Sequence, residues 1–200
     1  MTTQPTPSQR GSYAKGKARR QEIVDAALAV FAKSGFHSGS LREVAKRVGL
    51  TTAGVMHHFA SKEELFTEVL RQRDERVRAA AGDVSSTSLL EQTRKVVAYN
   101  QSTRGLTSLY TVISAEATDT EHPAHQYFVD RYALGRKLAE ETLRDAIAHG
   151  RLRDDIDVSL AARLIPAVMD GLQQQWLLDD SFDMTAAFDE FLRGYLRPPA

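Results

Sequence analysis

The sequence has 200 residues, in which 26 Lys and Arg balance 26 Asp and Glu, and it contains no cysteine. A chain of this length can form one large domain or two small ones, and the lack of cysteine excludes a disulfide framework or a thiolate site. No apolar run approaches the roughly 20 residues needed to span a bilayer, so we expect an intracellular, cytoplasmic protein without a membrane partner.

The balanced total hides an uneven distribution of charge along the chain. Residues 1–62 carry ten Lys and Arg against three acidic residues, and the rest of the chain carries the matching acidic excess. A basic N-terminal part joined to an acidic body is the pattern expected when one end of a protein binds phosphate groups.

The first segment, residues 1–16, is rich in Thr, Pro, Ser, Gln and Gly, and it is predicted to be a disordered basic arm. It either remains in solvent or is an arm that follows the DNA backbone or enters a minor groove, with Arg10, Lys15 and Lys17 as its contacts. The first helix is predicted to begin at about Lys17 and to end at Gly35.

A helix-turn-helix pattern follows. Ser40 and Glu43 have the spacing of a capping box at the start of a helix, Gly49 supplies the left-handed conformation that ends it, and Thr51 can cap a second short helix. Two short helices joined by a glycine-containing turn, the second without acidic residues, are typical of a DNA-reading motif. A plain helical hairpin with a solvated polar face is the alternative, and the basic charge of this part favours DNA.

The outward residues of this motif are small or basic and are predicted to contact DNA. Small side chains permit close approach to base edges, and a cation beside a helix start suits a phosphate. A second capping box, Ser61 with Glu64, provides such a helix start. The predicted DNA-binding residues are Arg42, Thr51, Thr52, Ala53, Gly54, Met56, His57 and Lys62.

The rest of the chain predicts further helices and no strand. The fourth helix is expected at about 63–80, and its charged second half, RQRDERVRAAA, is typical of a solvated connector. Pro166 is expected to kink the eighth helix or disturb its first turns. The predicted fold is all-α with about nine helices, in which residues 17–66 form the DNA-binding domain and residues 67–200 a helical effector-binding and dimerisation domain. The later helices are expected at about 89–102, 106–117, 123–149, 158–178 and 185–196.

Three segments between Arg20 and Phe66 resemble the DNA-binding domain of TetR (tetracycline-repressor) family regulators. They are IVDAALAVFAKSGF, SLREVAKRVGLT and VMHHFASKEELF. The resemblance implies a homodimeric transcriptional repressor that a small-molecule effector releases from a palindromic operator in double-stranded DNA. One position departs from the family, which often has Tyr before the two histidines, where its hydroxyl meets a phosphate. This chain has Met56 there.

Aromatic and polar residues in the second domain are candidates for an effector pocket, because small-molecule sites combine aromatic rings with a few polar groups. Each of these residues is equally consistent with a helix core. The candidates are Tyr99, Asn100, Tyr110, Glu116, Tyr127, Phe128, Tyr132 and Trp176.

The last two helices are the predicted dimer interface. A mid-helix glycine such as Gly171 costs about 1 kcal/mol relative to alanine, and the close approach of a second helix would offset that cost. The predicted interface residues are Gly171, Leu172, Gln175, Phe188, Phe191, Leu192 and Tyr195.

Two other functions remain open. His122 and His125 have a spacing that could hold a metal in a helical enzyme, but the nearby acidic residues form no recognisable zinc pattern. We therefore predict no catalytic site, metal or cofactor. The second alternative is a DNA-binding architectural protein without an effector, which a solid C-terminal body would favour.

Overall fold

The computed structural model describes residues 7–82 and 89–195, and within these ranges the chain forms nine α-helices and no strand. The predicted all-α fold is confirmed, and the bounds of the fifth and eighth helices agree with the prediction. Among the described residues, none of the helices combines the length and apolar character needed to cross a bilayer. The helices are α1 (Pro7–Ser38), α2 (Leu41–Arg47), α3 (Thr52–Met56), α4 (Lys62–Ala81), α5 (Leu89–Ser102), α6 (Arg104–Glu116), α7 (His125–Ala148), α8 (Val158–Leu178) and α9 (Met184–Tyr195).

The chain divides into two compact units, of which the first ends at Arg71 and the second begins at Gln72. Helix α4 contributes residues to both units. In the second unit, a hydrophobic core joins α5, α7, α8 and α9, with Leu143 of α7 and Phe188 of α9 among its buried members. Helix α8 continues through Pro166 as a single element, so the proline does not end it.

Helix α1 begins about ten residues earlier than predicted, at Pro7. Proline suits the first turn of a helix because no intrahelical partner is needed for its missing N–H, and Gln, Arg, Ala and Lys after it are good helix formers. The expected disordered arm is therefore helical over residues 7–16, while residues 1–6 lie outside the described part. Lys15 and Lys17 are exposed, and the side chain of Arg10 also lies outside the described residues.

Two glycines shape the passage from α1 to α2. Gly35 has a φ of 67°, which interrupts α1 as the sequence predicted. Gly39 is buried and donates its backbone N–H to the Gly35 carbonyl at 3.2 Å. A Cβ atom on Gly39 would lie 2.7 Å from that carbonyl oxygen and 2.8 Å from Cε1 of Phe31. The turn therefore has no room for a side chain at this position.

Phenylalanine rings form the centre of the first unit. The Phe66 ring on α4 lies 5.1 Å from Phe31 and 4.8 Å from Phe36, between ring centroids, and all three residues are buried. Such pairs stabilise a core beyond the area that they bury. At the surface, Arg20 on α1 pairs with Glu68 on α4 at 3.0 Å. These contacts make α1 and α4 the support on which α2 and α3 lie.

The second half of α4 is not the solvated connector that its charges predicted. Arg73 is only 2% exposed and Asp74 only 8% exposed, and Val77 is buried beside them. Opposite charges that leave water together compensate each other in part. The charged stretch therefore contributes to an interior polar cluster in the second unit.

Candidate functional site

The N-terminal caps of α2 and α3 fix the geometry of the helix-turn-helix. Ser40 Oγ accepts the backbone N–H of Arg42 at 3.2 Å, and Thr51 Oγ1 accepts that of Gly54 at 3.0 Å. Gly49, with a φ of 65°, ends the first of the two helices. These local signals confirm the predicted start of both helices, because each cap satisfies an N–H group that has no partner inside its own helix.

The reciprocal capping box predicted for α2 does not form, because Ser40 Oγ accepts from the N–H of Arg42 and not from that of Glu43. The carboxylate of Glu43 pairs with Arg47 one turn later, at 3.1 Å, instead of reaching back to the N–H of Ser40. At the start of α4 the reciprocal arrangement is closer to complete: the N–H of Glu64 donates to Ser61 Oγ at 3.1 Å, and its carboxylate accepts the N–H of Ala60.

The outward face of α3 consists of small or polar side chains. Val55 and Phe59 point inward and are buried, which leaves the opposite face of this short helix to solvent. Small side chains there leave the backbone accessible to a large partner such as a DNA groove. Among the predicted DNA-binding residues, Gly54 is half-buried and the exposed ones are Arg42, Thr51, Thr52, Ala53, Met56 and His57.

Lys62 has a role within the fold that the sequence did not predict. Its Nζ donates to the carbonyl of His37 at 3.3 Å and lies 4.5 Å from the centroid of the Phe36 ring. Beside it, hydrogen bonds from the backbone N–H of Glu63 and from the Ser61 hydroxyl lower the pKa of the Glu63 carboxyl. The start of α4 therefore already holds carboxylates, which makes it a weaker phosphate site than its sequence suggested.

A buried polar cluster lies in the second unit and centres on Asp74. Its carboxylate accepts from Arg73 at 3.1 Å, from the Tyr127 hydroxyl at 2.6 Å and from the Arg131 guanidinium. Burial and the neighbouring Asp74 carboxylate raise the pKa of Tyr127, so this hydroxyl keeps its proton and remains a donor. The members of the polar cluster are Arg73, Asp74, Asn100, Tyr110, Tyr127, Arg131, Tyr132 and Asp170.

A second carboxylate, Asp170 on α8, is joined to the cluster through tyrosine hydroxyls. The Tyr132 hydroxyl donates to Asp170 Oδ2 at 2.6 Å, and the Tyr110 hydroxyl donates to that of Tyr132 at 3.2 Å. The guanidinium of Arg73 lies 4.3 Å from the centroid of the Tyr110 ring. Burial raises the pKa of Asp170 and that of Tyr132. The cluster thus connects α4, α5, α6, α7 and α8.

The structure brings five of the eight predicted pocket residues together. Four of them belong to the polar cluster, and the Phe128 ring lies 5.5 Å from Tyr110 and 5.2 Å from Tyr127. The other three lie elsewhere. Trp176 is in the hydrophobic core beneath Arg104. Tyr99 accepts hydroxyl hydrogen bonds through its backbone carbonyl, and Glu116 lies beside His122.

Sequence reasoning missed the charged members of the cluster. Arg73 continues the apolar spacing of Val69, Leu70 and Val77 along α4, so its position indicates burial even though its charge suggests solvent. A charged residue within an apolar stripe was therefore the sequence signal for a buried charge.

The two histidines of the HPAH segment have structural roles. His122 Nδ1 accepts the N–H of Ala124 at 3.1 Å, and His125 Nδ1 lies 2.9 Å from the carbonyl of Ala117. Both bonds stabilise the turn between α6 and α7. Within residues 7–82 and 89–195, no group of three or more His, Asp or Glu side chains could hold a metal ion.

The predicted dimer interface needs correction on α9. Phe188 and Leu192 are buried in the hydrophobic core of their own chain, and Leu172 and Phe191 pack against that core. An amphipathic helix has the same sequence pattern whether its own chain or a partner covers it. The side chain of Tyr195 lies outside the described residues.

Helix α8 presents a different, exposed apolar stripe. Leu160 is 54% exposed, Leu164 40% and Leu178 84%. A Cβ on Gly171 would meet no atom within 4 Å, so this position also faces open space. Gln175 is exposed as well. Single exposed leucines are common, but these three lie on one side of a single helix.

Comparison with known proteins identifies the family. Residues 23–69 match the family described as bacterial regulatory proteins, tetR family. The chain is 30% identical over 152 residues to the HTH-type transcriptional repressor KstR2 of Mycobacterium tuberculosis, covering 74% of this chain and 76% of that protein. It is 27% identical over 157 residues to the HTH-type transcriptional repressor AcnR of Corynebacterium diphtheriae, covering 76% and 78%.

A solved structure shares the whole architecture. The transcriptional regulator FadR from Bacillus subtilis, in complex with stearoyl-CoA, superposes with a TM-score of 0.74 at 18% identity, covering 90% of this chain and 99% of that one. At this level of identity the likeness concerns the fold. Together with the helix-turn-helix geometry and the similarity to KstR2, it leads to one conclusion: the chain belongs to the TetR family of bacterial helix-turn-helix transcriptional regulators.

Proposed function

We propose that this TetR-family transcriptional repressor binds a palindromic operator as a homodimer and leaves it when a small molecule occupies its second unit. The observation that carries the proposal is the outward face of α3, where small side chains surround an accessible helix end in the basic part of the chain. Because chromosomal DNA is the target, the protein acts in the cytoplasm.

The residues of the helix-turn-helix divide into two roles. Thr52 and Ala53 are placed to approach base edges, where a threonine can hydrogen-bond or pack on a thymine methyl. His57, Lys62 and Arg42 supply cations or N–H donors for phosphates, which position the protein without reading sequence. Met56 has no hydroxyl for a phosphate, so its thioether packs on a sugar or a methyl group.

Selection from random-sequence duplex DNA is expected to enrich a palindrome, with half-sites spaced so that two α3 helices enter successive major grooves about 34–36 Å apart. The slope of log affinity against log salt should become shallower by about 0.9 for each cationic contact with a phosphate that is removed, as in Arg42→Ala. Lys62→Arg should bind better than Lys62→Ala, because the cation is kept.

The control for this experiment is Lys137→Ala, which removes an exposed cation of the second unit and should leave the salt slope unchanged. Weak binding without an enriched palindrome would mean that the motif supports the fold or binds DNA without reading it. A salt slope that is the same in Arg42→Ala as in the unaltered protein would remove Arg42 from the phosphate contacts.

The exposed stripe on α8 supports a homodimer. The stripe consists of residues spaced by four, seven and seven positions, which lie along one side of the helix: Leu160, Leu164, Gly171 and Leu178. The same patch meets itself across a two-fold axis in a symmetric dimer. Gly171 permits close approach of the partner helix at the centre of this stripe.

Leu164→Glu is expected to convert the dimer into a monomer, because a two-fold axis would bring two added carboxylates into one apolar contact. Sedimentation velocity measures the change, and operator affinity should fall more than tenfold. Lys95→Ala, which also makes the chain more negative by one charge, at an exposed position of α5, is the control. A Leu164→Glu protein that remains dimeric would place the interface elsewhere.

The effector proposal rests on the polar cluster. Helix α4 provides Arg73 and Asp74 to the cluster and Phe66 to the first unit, so a ligand that moves its second half can act on the DNA-binding unit through one continuous helix. Such a ligand need favour the DNA-free state by only about 1–3 kcal/mol. A ligand that binds equally well with and without operator DNA would contradict this mechanism.

A further inference from the structure

Several buried polar atoms in the second unit have no hydrogen-bond partner within the described part of the chain. Gln173 on α8 is 0% exposed, and neither its Nε2 nor its Oε1 is paired. The same is true of Asn100 Nδ2, Asp170 Oδ1 and Arg73 Nε. Most buried polar groups in folded proteins are paired, because an unpaired one is destabilising. Such a concentration in one unit therefore calls for a partner that the chain does not supply.

These atoms belong to the same region. Asn100 is linked to Arg73 through its Oδ1 at 3.5 Å, and Asp170 is linked to the cluster through Tyr132. Gln173 follows Asp170 by three residues on α8, which places the two side chains on neighbouring positions of one face. The unpaired atoms include both donors, on Asn100, Gln173 and Arg73, and acceptors, on Asp170 and Gln173.

The formal charges of the cluster sum to zero. The cluster contains two guanidinium groups, Arg73 and Arg131, and two carboxylates, Asp74 and Asp170, and Asp74 forms an ion pair with each arginine. A ligand carrying a net charge would add an uncompensated charge to a buried site, which is strongly unfavourable. An uncharged ligand that offers both a donor and an acceptor matches the unpaired atoms without that penalty.

We propose that the effector is an uncharged amphipathic molecule whose amide or hydroxyl groups hydrogen-bond to Gln173, Asn100 and Asp170, with its apolar part against the rings of Tyr110 and Phe128. This inference rests on the proposed function, in which the second unit binds the effector. It adds the chemical class of the ligand and the residues that select it.

The first test uses the protein without ligand. Gln173→Met keeps the approximate volume and removes both unpaired amide atoms, so the melting temperature should rise by about 2–4 °C. Gln174→Met, at an exposed neighbouring position, is the matched control and should change it by less than about 1 °C. A lower melting temperature for Gln173→Met would mean that the amide is satisfied in the fold, and would overturn the proposal.

The second test compares three probes with one hydrocarbon chain: octanamide, octanoate and octylammonium. Calorimetry is expected to show that, of the three probes, octanamide binds the unaltered protein most tightly and that Gln173→Met weakens octanamide binding at least tenfold. Bound octanamide is also expected to lower the affinity of the unaltered protein for its operator. Tighter binding of either ion, or no binding of octanamide, overturns the proposal.

Operator binding without any probe is measured in parallel on the same protein. Failure to bind a palindrome would refute the repressor function independently of the ligand data. The alternative outcome is that the protein binds its operator normally, with an affinity that bound octanamide does not weaken. That result would overturn the assignment of an uncharged ligand as the effector and leave DNA recognition intact.

Discussion

Replacing Asp74 by alanine is expected to lower the free energy of unfolding by about 3–5 kcal/mol, the range found when one partner of a buried ion pair is removed. Asp74 is 8% exposed and compensates the buried guanidinium of Arg73 and the half-buried one of Arg131, while it also accepts from the Tyr127 hydroxyl. Its loss leaves two like charges in the interior without their common carboxylate. Urea unfolding followed by circular dichroism measures the effect.

The matched control is Glu75→Ala, one residue further along α4 and exposed, for which a change within about 0.5 kcal/mol is expected. If Asp74→Ala and Glu75→Ala had equal effects, the charges of the cluster would have to be solvated. A double-mutant cycle with Arg73→Met separates the pairwise interaction from the loss of each side chain. We expect the double variant to be more stable than Asp74→Ala alone, because it no longer leaves Arg73 without its partner.

The helix-turn-helix could be predicted from the sequence, whereas the buried polar cluster could not. The helix-turn-helix depends on signals within a few residues, such as the Thr51 cap and Gly49, and these signals are local in both sequence and structure. Single hydrogen bonds of the polar cluster join residues up to 57 positions apart, as between Arg131 and Asp74. No pattern within a few residues predicts that such distant charges form an ion pair inside the fold.

The dimer interface shows a second limit. Phe188 and Leu192 on α9 were assigned to a partner chain, although they fill the hydrophobic core of their own. The amphipathic pattern of a helix predicts that its apolar face is covered, but it does not distinguish cover by the same chain from cover by a partner chain. The leucines of α8 became informative only when their exposure was known, because Leu160 and Leu178 have the same spacing as core residues in the sequence.

Glycine 39 is the second position at which a small change should have a large effect. Gly39→Ala would place a Cβ 2.7 Å from the Gly35 carbonyl oxygen, which is backbone and cannot rotate away, and 2.8 Å from Cε1 of Phe31. Overpacking of this kind typically destabilises a core by about 1–3 kcal/mol. Because the turn between α1 and α2 must open to relieve the contact, operator binding should be lost together with a fall in the melting temperature.

Gly54→Ala separates the loss of fold from the loss of recognition. A Cβ on Gly54 would lie 3.4 Å from Thr51 Oγ1 and 3.5 Å from Leu50, which is ordinary van der Waals contact. Alanine in α3 should stabilise the helix by about 0.5–1 kcal/mol, while the added methyl on the DNA-facing side weakens operator binding. Thermal unfolding should therefore show that Gly39→Ala lowers the melting temperature and that Gly54→Ala raises it. Operator titration should show that both variants bind the operator more weakly. If Gly39→Ala melted as the unaltered protein does, the turn would tolerate a side chain; full affinity in Gly54→Ala would remove Gly54 from the DNA-binding surface.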